Sequence, residues 1–131
     1  MAMPTLFPES GFRRLRIDIA YDGTNFFGWA TQPEKRTLQE LIEEAIARIS
    51  QRDVQTIVAG RTDAGVHATG QVIHVDVPDS IFDGDLRYKD LRYKLNRILD
   101  EDVRIMNISD APEGFHARFS ALRRYYSYKI L

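Results

Sequence analysis

The clearest alternation of apolar and polar positions runs over residues 14–21, where apolar side chains point one way and mostly charged side chains the other. This is the pattern of a half-buried strand. Residues 70–77 (GQVIHVDV) alternate in the same way, and the β-rich residues 54–59 (VQTIVA) and 103–108 (VRIMNI) predict two more strands. A further strand is predicted at residues 123–131 (RRYYSYKIL).

Two other stretches repeat apolar residues every three or four positions, which predicts amphipathic helices. The first begins at Thr37-Leu-Gln-Glu40 and runs to about Ser50. Its opening has the spacing of a capping box, in which Thr37 accepts an amide hydrogen and Glu40 reaches back to the start of the helix. The second covers residues 86–99 (LRYKDLRYKLNRIL), with lysines and arginines away from the apolar face.

The order strand, helix, strand, strand, helix, strand predicts an α+β fold, a ferredoxin-like split βαβ domain with an antiparallel sheet and both helices on one face. The last predicted strand is appended to it. Residues 1–12 contain two prolines and no periodicity, so we predict a flexible leader there and the domain at residues 13–131. Because the chain ends inside a β-patterned segment, we expect further chain to follow.

The composition narrows the function classes. The 131 residues are 44% hydrophobic and 28% charged, which is typical of one globular domain. No apolar run approaches the roughly 18 residues of a membrane span, and no secretory signal is evident, so we expect a cytoplasmic protein without a membrane partner. The absence of cysteine excludes disulfides, thiolate nucleophiles and cysteine-ligated zinc. A net charge of −1 argues against a globally basic nucleic-acid binder but allows a local basic face.

The most unusual stretch is GRTDAGVHATG (60–70), which is much longer than the roughly two to five residues that a hairpin needs. Arg61 and Asp63 are two residues apart, so they could face one side and place a guanidinium beside a carboxylate. Such a neighbour favours the ionised carboxylate, which could act as a nucleophile or a base. The alternative is that Asp63 only caps the loop in an Asx-turn and pairs with Arg61. The spacing alone leaves both open.

GRTDAGVHA resembles the signature of the TruA-type tRNA pseudouridine synthases. YDGTNFFGWATQ (21–32) and FHARFSALRRYYSYKI (115–130) resemble two further segments of that family, in the family's order. Three separated matches are far more specific than one. The resemblance implies that the chain is the N-terminal half of a family member.

The resemblance also assigns site residues. It implies that Asp63 is the catalytic carboxylate and that Arg61 lies at the flipped base. Tyr126 matches the aromatic that stacks on the target uracil, in the pattern Arg124-x-Tyr126-x-Tyr128, although the neighbouring Tyr125 leaves a shift by one residue open.

Other candidates are histidines and basic residues. His67 belongs to the family motif and is predicted to order the loop. Together with His74 and His116 it has no metal-ligand spacing, so we expect no metal. RNA phosphates need local positive charge, and the first candidates are Arg118, Arg123, Arg124 and Lys129. The basic residues of the second helix are predicted to be a solvated face rather than an RNA track.

The resemblance implies an isomerase that converts uridine to pseudouridine in the anticodon stem-loop of tRNA, without a cofactor. It also implies a homodimer that holds tRNA across both subunits, and an inactive isolated fragment. The alternative is a non-catalytic RNA-binding module of the RNA-recognition type. Such a module carries stacking aromatics on its central strands, whereas the strands predicted here are mainly aliphatic.

Overall fold

The computed structural model describes residues 6–121. Within them, four strands form one antiparallel sheet in the order β2-β3-β1-β4. The strands are β1 (Phe12–Tyr21), β2 (Thr56–Val58), β3 (Ala68–Pro78) and β4 (Val103–Asp110), and the helices are α1 (Leu38–Ser50) and α2 (Tyr88–Ile98). The predicted α+β, split βαβ arrangement is therefore confirmed. The strand predicted at residues 123–131 lies outside the described residues.

Both helices pack on the same face of the sheet. The strands supply their inward residues, such as Leu15, Ile17 and Ile73, which are almost completely buried. The apolar stripes of α1 and α2 join them in one hydrophobic core. The alternation of period two in the strands and of about 3.6 in the helices thus produces one shared core. None of the helices in the described part of the chain is long and apolar enough to cross a membrane.

The predicted capping box of α1 is wrong. Thr37 is the N-cap residue, but its side chain makes no capping hydrogen bond, and within residues 6–121 its buried hydroxyl has no partner. The first amides of the helix are occupied instead by tertiary contacts. Leu38 N–H donates to the carbonyl of Gly28 (3.2 Å), and Gln39 N–H donates to that of Trp29 (2.9 Å). The start of α1 is therefore fixed by the segment before it.

The opposite face of the sheet is crossed by the segment that follows β4. The buried Arg14 binds the Asp76 carboxylate through two nitrogens (2.7 and 3.0 Å) and donates to the carbonyl of Phe115 (2.9 Å). Ala117 N–H donates to Nδ1 of the buried His74 (3.0 Å). Residues 117–121 are helical. This segment leads directly to the residues that carry the predicted Tyr126.

Candidate active site

The connector between β2 and β3 covers residues 59–67, which we call the GRTD loop. It lies against residues 21–32, which we call the aromatic turn. Trp29 N–H donates to the carbonyl of Thr62 (3.0 Å), and Gly65 N–H donates to the carbonyl of Phe26 (3.2 Å). The two stretches that the sequence singled out separately are therefore one structural unit.

A glycine makes part of this close contact possible. Gly23 is buried, and a β-carbon there would collide with the backbone carbonyl of Val66. Any side chain at this position would push the GRTD loop away from the aromatic turn. The backbone N–H of Gly23 also donates to Nδ1 of His67 (2.9 Å). The glycine therefore allows the approach and also supplies a bond that holds it.

Asp63 is exposed, and its side chain has no hydrogen bond or ion pair with residues 6–121. The Asx-turn considered as an alternative is therefore not formed there. The loop turns through the main chain instead, because the carbonyl of Asp63 accepts the N–H of Val66 (3.1 Å). Its carboxylate is left open to a ligand.

The expected contact between Arg61 and Asp63 is absent in the described part of the chain, where neither side chain forms an ion pair. Residues two apart face one side in an extended strand, but here the backbone turns at Asp63. Both residues still line the same open cleft of about 330 Å³. The GRTD loop supplies one wall of it, and the aromatic turn supplies the other wall with Phe27, Trp29, Ala30 and Gln32.

His67 lies outside the Asp63 cleft and fastens the end of the GRTD loop. Its Nδ1 lies 2.9 Å from the backbone nitrogen of Gly23, which ties the end of the GRTD loop to the start of the aromatic turn. Asp22 lies beside it, with Oδ1 3.0 Å from Nδ1. Hydrogen bonds from the hydroxyl and the amide of Thr24 hold the pKa of Asp22 below its usual value. These contacts connect the end of the GRTD loop to residues 22–24.

Arg118 also lies away from the cleft, exposed in the helical segment 117–121. Its neighbourhood contains the two histidines of the opposite sheet face, whose rings are 4.8 Å apart. Burial, reinforced by Arg14, lowers the pKa of His74 to about 4, and burial also lowers the pKa of His116. Tyr126 and Arg124 lie outside the described residues, so their roles stay predictions.

Phe27 is the residue of the cleft that the sequence did not distinguish. Phe26 and Trp29 are buried, but Phe27 is 46% exposed and lines the cleft beside Asp63. Lys35 Nζ lies 4.5 Å from its ring centroid. Adjacent residues of an extended segment point to opposite sides. Since Phe26 points into the core, Phe27 faces outwards.

The match to a known protein family covers the residues that form this cleft. The sequence profile of the tRNA pseudouridine synthase family matches residues 18–120, which include both the aromatic turn and the GRTD loop. Among the residues described, no group of three or more histidine, aspartate or glutamate side chains could hold a metal ion.

Curated relatives called tRNA pseudouridine synthase A give the same result. The chain is 52% identical to the protein of Frankia casuarinae over 121 residues, covering 92% of this chain and 42% of the relative. It is 49% identical to that of Mycobacterium leprae, covering 89% and 44%, and 49% identical to that of Streptomyces griseus, covering 93% and 43%. The chain thus spans less than half the length of these relatives.

Proposed function

The chain belongs to the tRNA pseudouridine synthase family, and we propose that the full-length protein isomerises uridine to pseudouridine in tRNA with Asp63 as its catalytic carboxylate. One observation carries the proposal. Asp63 is exposed at a cleft, on the loop that resembles the family signature, and no side chain or amide within residues 6–121 engages its carboxylate.

The reaction requires no redox partner. The bond between C1′ of the ribose and N1 of uracil breaks, the base turns, and a bond forms between C5 and C1′. The hydrogen of C5 leaves as a proton, and N1 takes up a proton in place of its bond to the sugar. Atoms and electrons balance within the nucleotide and the solvent. No cofactor is therefore proposed.

Asp63 acts in this scheme as an anion, in one of two roles. Its carboxylate attacks C1′ as a nucleophile, or it draws a proton from the ribose as the base leaves. Both roles require an unshielded carboxylate next to the sugar. The cleft supports this, because Asp63 lines it and is exposed.

The target base must leave its stack before either step, at a cost of about a few kcal/mol. Stacking on an aromatic ring offsets part of that cost. We assign this role to Tyr126, and we place the exposed Phe27 against a neighbouring base. Arg61 supplies positive charge on the same cleft.

Binding of the whole tRNA draws on charges beyond the cleft. We assign Arg118 and Arg124 to phosphate contacts, because phosphate neutralisation supplies much of the affinity of proteins for RNA. The substrate region is the anticodon stem-loop, and the working form is a cytoplasmic homodimer that holds tRNA across both subunits. Light scattering of the full-length protein tests the dimer, and a monomer at assay concentrations contradicts it.

The test of the catalytic assignment is Asp63→Asn in the full-length protein. The substitution keeps the size of the side chain and removes its charge. We expect release of the C5 hydrogen from tRNA to be abolished, while tRNA binding persists. Asp83→Asn is the matched control, since Asp83 is exposed and lines no part of the cleft.

The outcomes separate the two functional classes. Turnover in Asp63→Asn contradicts the role of this residue. Binding of tRNA by the unaltered protein without any release of the C5 hydrogen favours the RNA-binding module instead. For residues 1–131 alone we expect little or no turnover, since the second half completes the cleft, and a rate equal to that of the full-length protein contradicts this.

A further inference from the structure

Tyr21 connects the rigid sheet to the residue that precedes Asp63. It is the last residue of β1, is only 4% exposed, and packs against Trp29 with the ring centroids 6.4 Å apart. Its hydroxyl lies 2.7 Å from Oγ1 of Thr62. Because a buried hydroxyl needs a hydrogen-bond partner, the end of β1 and the GRTD loop are tied at this point.

Gln71 on β3 orients this contact. Its amide nitrogen donates to the carbonyl of Gly60 (2.6 Å) and lies 3.4 Å from the hydroxyl oxygen of Tyr21. Its amide oxygen accepts the N–H of Val72 (3.1 Å), which fixes which end of the amide is the donor. Tyr21 therefore accepts from Gln71, and its hydroxyl shares a second hydrogen bond with the hydroxyl of Thr62. The hydrogen bonds run from β3 through β1 into the GRTD loop.

Thr62 is consequently held at two points, through its side chain by Tyr21 and through its carbonyl by Trp29 N–H. Asp63 has no side-chain partner within residues 6–121. The backbone at Thr62 thus sets the position from which the Asp63 side chain projects. A reacting group must be held to within about 0.5 Å, and about 1 Å of displacement is costly to the rate.

We propose that Tyr21 is a positioning residue for Asp63 and acts through the side chain of Thr62. The inference rests on the proposed function of Asp63. Tyr21 does not touch the substrate, because its ring is buried in the core. Its hydroxyl fixes the loop in the orientation in which Asp63 meets the sugar.

The test is Tyr21→Phe in the full-length protein, which removes one oxygen and keeps the buried ring. We expect kcat for release of the C5 hydrogen from tRNA to fall about tenfold while KM stays within about twofold. Tyr93→Phe is the matched control, since Tyr93 is 64% exposed on α2 and has no hydrogen bond in the described part of the chain. An equal loss in both variants, or a change confined to KM, overturns the proposal.

Variants of Thr62 test whether Tyr21 acts on Asp63 through the hydroxyl of Thr62. Thr62→Val should lose as much kcat as Tyr21→Phe, and Thr62→Ser should recover most of that loss because it keeps the hydroxyl. The double variant Tyr21→Phe, Thr62→Val should be no slower than either single variant. Losses that multiply would show that Tyr21 does not act through Thr62.

Hydrogen–deuterium exchange gives a readout that does not depend on turnover. We expect the amides of residues 60–66 to exchange about tenfold faster in Tyr21→Phe and at the unaltered rate in Tyr93→Phe. Unchanged exchange in Tyr21→Phe contradicts the positioning role even if the enzyme is slower. The two proposals fail in different ways. If the proposed function is wrong, Asp63→Asn retains turnover, whereas the exchange rates of residues 60–66 still test whether Tyr21 holds the loop.

Discussion

Gly28 lies directly against the carbonyl of Thr62: a β-carbon on Gly28 would be 2.7 Å from that oxygen, and its φ is +89°. Gly28→Ala therefore introduces both a left-handed strain of about 1–2 kcal/mol and a collision with the backbone next to Asp63. We expect turnover to fall more than tenfold because the loop must move. Steady-state kinetics of the full-length protein measure this.

Gly84→Ala separates the two effects. Gly84 has a similar φ of +79°, but a β-carbon there meets no atom within 4 Å. We expect this variant to lose about the same stability from strain and to keep its turnover. Equal losses of turnover in both variants would show that strain alone, rather than the contact with Thr62, is responsible.

Local patterns predicted most of the fold, since each element carries its own period. The alternation at residues 14–21 predicted β1, which begins slightly earlier at Phe12 because that residue pairs with Pro78 of β3. The apolar stripe predicted α1 through to Ser50. These properties depend on neighbouring residues, which a sequence displays directly.

The geometry of the site depends on residues far apart in the sequence, and the sequence therefore predicted less of it. The capping box at Thr37 was wrong because the Thr37 side chain makes no capping hydrogen bond, and the start of α1 is fixed instead by bonds from Leu38 and Gln39 to the carbonyls of Gly28 and Trp29. The contact between Arg61 and Asp63 was wrong because the loop turns. The motif resemblance singled out the GRTD loop, but its shape depends on packing against the aromatic turn, which the motif does not display.

Arg61 is expected to act on RNA rather than on Asp63, since it forms no ion pair within residues 6–121. Arg61→Ala should weaken tRNA binding about tenfold and reduce the slope of log affinity against log salt by about 1. Filter binding over a series of salt concentrations measures both.

The control for Arg61 is Lys94→Ala. Lys94 is exposed on α2 and lies near Ile49, at the far end of α1 from the cleft. Helix α1 has 13 residues and is therefore about 20 Å long. We expect Lys94→Ala to leave the salt slope unchanged. If Arg61→Ala instead shifts the acidic limb of the pH–rate profile and leaves the affinity for tRNA unchanged, Arg61 stabilises the ionised carboxylate of Asp63. The assignment of Arg61 to RNA binding is then wrong.

Phe27 is expected to contribute stacking. Its backbone is fixed, because its N–H donates to the carbonyl of Arg36 (2.8 Å) and its carbonyl accepts from Gln32 (2.7 Å), while its ring stays exposed. Stacking on a base contributes about 1–3 kcal/mol, so Phe27→Ala should raise KM about tenfold and Phe27→Tyr should not. Tyr93→Ala removes an exposed ring on α2 and should have no effect, and a normal KM in Phe27→Ala rejects the contact.

The stability of the fold should depend on His74. His74 is 3% exposed, and Arg14, Asp76 and His116 surround it. Burial, followed by the charge of Arg14, lowers its pKa from 6.5 to about 4. Between pH 6.5 and about pH 4, His74 is therefore protonated in the unfolded chain but neutral in the folded chain. The contribution of His74 leaves the free energy of unfolding at its full value above about pH 6.5 and lowers it as the pH falls towards 4. Between pH 7.5 and pH 5 we expect a decrease of up to about 2 kcal/mol.

Urea unfolding of the full-length protein at these two pH values, with His74→Asn beside it, tests this dependence. Asparagine keeps an acceptor for the N–H of Ala117 and cannot be protonated, so the loss of stability at pH 5 should shrink even if the variant is weaker at both pH values. His116→Gln removes the smaller contribution of the same sign, since burial also lowers the pKa of His116. An undiminished loss in His74→Asn would place the acid sensitivity elsewhere. A diminished loss would show that protonation of the His74 ring, which accepts the N–H of Ala117, lowers the stability of the fold at acid pH.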